Sequence, residues 1–182
     1  MTTQQLYLFN GLYLIILVAV GFLTRATPRR IAGALAGMAV DGVLGIAIIA
    51  IGERAGLWHM AITWEPYFLL LLWIGFTLSA FALLIVWRIA RRFGARGLGM
   101  VLVAAVLLGP LRDYGYMARF REWGAYAPGI APVLAVSLAY VLGFVVGYGV
   151  MRLIAGPATA DRLARGPRGI VVLRPPARAR RE

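Results

Sequence analysis

Long apolar runs, separated by short arginine-bearing segments, recur along this 182-residue chain. A bilayer core about 30 Å thick is crossed by roughly 20 apolar residues in helical form. Runs of that size occupy 6–24, 31–51, 66–87 and 130–151. Pro66 and Pro132 suit first helical turns, where the missing N–H has no intrahelical partner to lose. Between the last two runs, residues 98–111 are cleanly apolar for only ~21 Å of helical rise. Arg112 and Asp113 then interrupt the pattern. Either a helix stops there, or it continues to about residue 116 and carries the charges with it. If it continues, Pro110 leaves the carbonyl of Val106 without its usual donor. The pattern predicts an all-α integral membrane protein: about five transmembrane helices (6–24, 31–51, 66–87, 98–116, 130–151) in a small bundle over 1–155.

Composition pushes the same way. Hydrophobic residues make up 62% and charged residues 14%, against about 45–50% and 25% in soluble domains. The surplus apolar surface is suited to lipid. The formal net charge is +12, and all 19 basic residues are arginine. Fifteen of them fall after the first run (Arg25, Arg29, Arg30), after the third (Arg88, Arg91, Arg92, Arg96) or from Arg152 onward. The alternate segments hold only Arg54, Arg112, Arg119 and Arg121. The positive-inside rule then places the N-terminus outside and the C-terminus in the cytoplasm. Short loops and arginine-only usage give a bacterial inner membrane as the expected location. Basicity spread over loops and tail fits anionic lipid rather than nucleic acid. Residues 156–182, rich in Pro, Gly and Arg, read as a disordered cytoplasmic tail able to touch anionic lipid. Residues 1–5 carry no basic cluster, so the first run reads as a retained helix.

Candidate chemistry is sparse. With no cysteine and one histidine, thiol catalysis and multi-histidine metal sites within one chain are excluded, and no metal or cofactor is expected. Asp41 stands out, ten residues into the second run and ~15 Å along it. A carboxylate at that depth has to face protein. It shares a four-residue spacing with Gly33, Gly37 and Gly45, a small-residue face of the kind that lets helices approach closely. Gly143 and Gly147 in the last run, and Gly75 and Ser79 in the third, read as packing faces too. Adjacent helical residues point apart, so Arg112 is expected to seek Asp41 rather than Asp113, giving a buried polar pair. Asp41 then serves either a proton, cation or amine, or merely the structure.

A second constellation of mixed charge and aromatics gathers on the outer side: Glu53, Arg54, His59, Glu65, Asp113, Tyr114, Arg119 and Glu122. Tyrosine and tryptophan favour membrane interfaces in any case. Three functions compete. The first is binding or transport of a small solute or lipid at Asp41 and Arg112, in a chain that forms homo-oligomers. The second is an accessory or assembly role in a membrane complex. The third is an enzyme acting on a lipid or isoprenoid at the outer interface, with His59 and a nearby glutamate as acid and base. No catalytic spacing supports the third, and the overall expectation leans away from an enzyme.

Overall fold

The computed structural model describes residues 2–61 and 66–158. Trp64, Glu65 and the arginine-rich tail beyond 158 lie outside the described residues. Among the described residues there are four helices, each long and apolar enough to cross a membrane, and one two-stranded ribbon. Local chemistry sets their ends. Helix α1 (Thr3–Leu23) starts from a capping box: the Thr2 hydroxyl accepts from the Gln5 N–H, and the Gln5 side chain accepts from the Thr2 N–H. Helix α2 (Pro28–Arg54) opens with Thr27 as cap and proline in its first turn. Helix α3 spans Pro66–Arg119. Helix α4 (Ala131–Ala155) ends at Gly156, whose φ of 83° is left-handed.

Instead of the five separate helices expected there are four helical elements, because the third and fourth apolar runs join in one element that the non-helical Gly94 divides into two arms. The segment around 88–97, expected as a loop, is helical on both sides of a single residue, Gly94 (φ 59°, ψ −142°). Glycine alone enters that region without a steric penalty. A straight helix of this length would extend ~80 Å, yet its two ends meet. The Trp123 indole, just past α3, donates to the Tyr67 hydroxyl at 3.1 Å. Gly97 sits against the Ile89 side chain. Helix α3 is therefore a hairpin with arms 66–93 and 95–119. The second arm continues through Pro110, Arg112 and Asp113, which resolves the alternative left open by the sequence.

Strands β1 (Trp58–Met60) and β2 (Gly124–Tyr126) pair antiparallel, with Trp58 opposite Tyr126 and His59 opposite Ala125. Three-residue strands are too short to leave an alternating pattern, so no strand is expected from the sequence. Trp58 fastens the ribbon to α2. Its indole donates to the Ile49 carbonyl at 3.0 Å, and its ring occupies the space a side chain at Gly52 would need.

Helix α2 packs on α4 through its glycines. A Cβ at Gly33 would lie 2.9 Å from the Met151 carbonyl oxygen, and one at Gly37 2.6 Å from that of Gly147. Gly45 departs from the expectation, with nothing within 4 Å, and so does Gly75. A four-residue spacing drifts by ~40° per step on a helix of 3.6 residues per turn. By Gly45 the stripe has rotated out of the contact, and Gly42 meets the Phe76 ring instead. The apolar core (Ala34, Leu83, Leu84, Trp87, Met151) lies toward the arginine-bearing end. There Arg30 is itself buried, its guanidinium 5.9 Å from the Trp87 ring centre.

Candidate functional site

Asp41 is the middle residue of α2 and projects into the junction of three elements. From the first arm of α3, the Ser79 hydroxyl donates to Oδ2 at 2.6 Å. From α4, Gly147 leaves the carboxyl group room that a Cβ would take, and a Cβ at Gly143 would lie 3.9 Å from Oδ1. The second oxygen, Oδ1, is buried without a hydrogen-bond partner. Among the described residues no cation pairs with this carboxylate. The four-residue spacing places Asp41 and Gly37 on the same side of α2, and α4 answers with Gly143 and Gly147 on the opposing face. Ser79 is a hydrogen-bond donor to Asp41 where the sequence indicates only a packing position.

The expected Asp41–Arg112 pair is not formed. Arg112 turns to its neighbour: Nε and Nη2 lie 3.0 and 2.9 Å from Asp113 Oδ1. The Tyr140 hydroxyl donates to the same oxygen at 2.9 Å. The guanidinium also sits 5.5 Å from the Tyr140 ring centre and 5.9 Å from that of Tyr116. Two physical reasons separate the pair. A long arginine side chain folds back on the adjacent residue, which a rule based on helix faces does not anticipate. Asp41 also meets α4 at Gly143 and Gly147, whereas Arg112 meets it one to two turns earlier, at Tyr140. The Pro110 expectation fares better: the Ser137 hydroxyl from α4 donates to the Val106 carbonyl at 3.1 Å. Proline cannot supply that bond.

The outer constellation assembles in part. His59 Nδ1 lies 3.2 Å from Glu53 Oε1, which also accepts from the Met60 N–H at 3.4 Å. These contacts close the ribbon onto the end of α2. An open groove of about 340 Å³ runs between Glu53, Trp58, His59 and Tyr126. Tyr114 stacks on Tyr126 with ring centres 4.2 Å apart, and Trp58 meets Tyr126 edge-on. Burial pushes the Tyr126 phenol above its ordinary pKa, and the nearby Asp113 and Tyr114 add to the rise. Arg54 is the exposed last residue of α2, Arg119 lies over the Phe120 ring, and Glu122 is exposed on a short 3-10 turn. Glu65 lies outside the described residues. Among the described residues, no three His, Asp or Glu side chains converge as a metal site would require.

Sequence reasoning missed two further roles. Asn10, in the first half of α1, donates to the Leu6 carbonyl and across to the Leu70 carbonyl at 3.2 Å, which pins α1 to α3. Arg29 and Arg88 cap helix ends, donating to the carbonyls of Ile154 in α4 and Leu23 in α1 at 2.6 and 2.8 Å. Position relative to the apolar runs signals such arginines, but which carbonyl each reaches depends on tertiary packing. Comparison with known proteins finds no protein family, no characterised protein and no solved structure that matches this chain.

Proposed function

We propose that this chain is a multi-pass membrane protein that binds a small cationic or donor-rich solute at Asp41 and passes it along the bundle. In this reading its N-terminus lies outside and its arginine end faces the cytoplasm of a bacterial inner membrane. One observation carries the reading: a carboxylate at the centre of a membrane-length helix keeps Oδ1 buried and unpartnered. A charge at such depth costs about 2.5–3.5 kcal/mol on insertion scales. A hydrogen bond to a charged group returns about 1.5–3 kcal/mol, and Ser79 supplies one. The remaining oxygen suits a ligand bearing N–H groups or positive charge. Arg112, spent on Asp113, does not take part. The test is thermal unfolding of the purified protein with sodium, methylammonium or guanidinium ions. At least one is expected to raise the melting temperature of the wild type and leave Asp41→Asn unmoved. Equal responses in both proteins, or none in either, would overturn the proposal.

A second reading, an accessory subunit of a membrane complex, draws on a different observation. The Arg112–Asp113 pair is partly exposed, at 44% and 24% of the two side chains, beside the exposed Leu108 and Leu111. A neutral but polar pair on an otherwise apolar helix face suits the polar group of a neighbouring protein. This reading predicts that the chain, extracted from its own membrane in mild detergent, migrates within a larger assembly that Arg112→Leu disperses. Migration as a lone chain before any substitution counts against it.

A further inference from the structure

Charge is segregated along the bundle. The ends of α1 and α4, the start of α2 and the bend of α3 gather at one pole, as the contacts from Arg29 to Ile154 and from Arg88 to Leu23 show. Arg25, Arg29, Arg88, Arg92, Arg96 and Arg152 are exposed there. The described acidic residues lie elsewhere: Asp41 at mid-helix, and Glu53, Asp113 and Glu122 toward the opposite pole. Among the described residues, no carboxylate is paired with these six arginines.

Large apolar side chains interleave with these arginines. Phe22 and Leu23, beside Arg25, are 83% and 69% exposed, Phe93 between Arg92 and Arg96 is 57% exposed, and Leu153 beside Arg152 is 84% exposed. A soluble anion has no use for such neighbours, and nucleic acid would leave them in water. An amphiphile matches both: its anionic head meets guanidinium groups, and its alkyl chain covers the apolar side chains. Arg29 and Arg88 each spend one N–H on a helix-end carbonyl, which fixes the guanidinium group while other N–H donors remain for a phosphate.

We infer that this folded arginine pole, independently of the tail beyond 158, is a binding collar for the headgroups of anionic phospholipids. It does not depend on the assignment of Asp41. The test uses the full chain, purified in a neutral detergent, and measures binding and melting temperature with added phosphatidylglycerol, phosphatidylcholine or inorganic phosphate. Three proteins are compared: the wild type, Arg25→Gln/Arg92→Gln/Arg96→Gln, and a tail variant with Arg174, Arg178, Arg180 and Arg181 all changed to Gln. Phosphatidylglycerol is expected to bind and stabilise the wild type and the tail variant. The collar variant should bind it on the order of a hundredfold more weakly, at the usual strength of about a fivefold change per interfacial arginine. A loss confined to the tail variant, an equal effect of phosphatidylcholine, an equal effect of inorganic phosphate, or no stabilisation at all would each overturn the inference. If the triple variant does not fold, native mass spectrometry of the three single variants counts bound phosphatidylglycerol molecules. Counts unchanged from wild type would then overturn it.

Discussion

At the scale of single residues, the contact between Asp41 and Gly147 makes the sharpest prediction. Gly147→Ala places a methyl group against the Asp41 carboxyl group, and overpacking of this kind costs about 1–3 kcal/mol. Asp41→Ala clears the space, so the double variant should recover most of the loss. A thermal-unfolding cycle checks this, and simple additivity would mean that the two residues do not touch. The depth of Asp41 and its glycine-lined face were legible in the sequence, because spacing on one helix encodes them. Its Ser79 donor and the turn of Arg112 toward Asp113 were not, since both depend on how elements meet and on side-chain reach. Tyr126 carries the pH prediction. Its phenol is raised in the folded protein, so the unfolded chain loses this proton first as pH climbs past about 10, the ordinary tyrosine value. Stability present below that pH is lost above it. Tyr126→Phe should lose less of its melting temperature between pH 9 and 11, values chosen to bracket the tyrosine pKa. Parallel curves for the two proteins would contradict the assignment.

At the scale of elements, α3 shows what periodicity leaves out. The apolar runs that become its two arms are plain in the sequence, and so is the irregular stretch from Pro110 to Asp113. The bend is not, because a single glycine with positive φ replaces the loop that a cluster of arginines suggests. Arginine and alanine on either side are good helix formers, so nothing but Gly94 interrupts the helix. Gly94→Ala should therefore cost about 1–3 kcal/mol, the usual strain of a glycine-only conformation. Gly99→Ala, at an open helical position, should be neutral or slightly stabilising. Equal unfolding midpoints for the two variants would contradict a bend at residue 94. The β1–β2 ribbon escaped notice for a different reason: its register comes from Trp58 seated on Gly52 and from pairing across more than sixty residues of sequence.

At the scale of the whole molecule, the distribution of arginine was legible from the start, and the structure adds what these residues do. Some seal helix ends, one is buried against Trp87, and others stand exposed among apolar side chains at one pole. The opposite pole mixes both signs of charge with stacked tyrosines, and Asp41 lies between the two, with no counter-charge paired to it among the described residues. The proposed function requires solute and water to reach that carboxylate in some state of the bundle, although Oδ1 is buried in the junction here. Gly143→Cys tests this directly, since it keeps Asp41, adds the only cysteine in the chain and points toward Oδ1. In membranes, a small polar thiol reagent should modify this cysteine well above the level of Ala34→Cys, a fully packed control on α2. Modification no faster than the control would mean that Asp41 is sealed and structural, and would contradict a solute-binding role at this site.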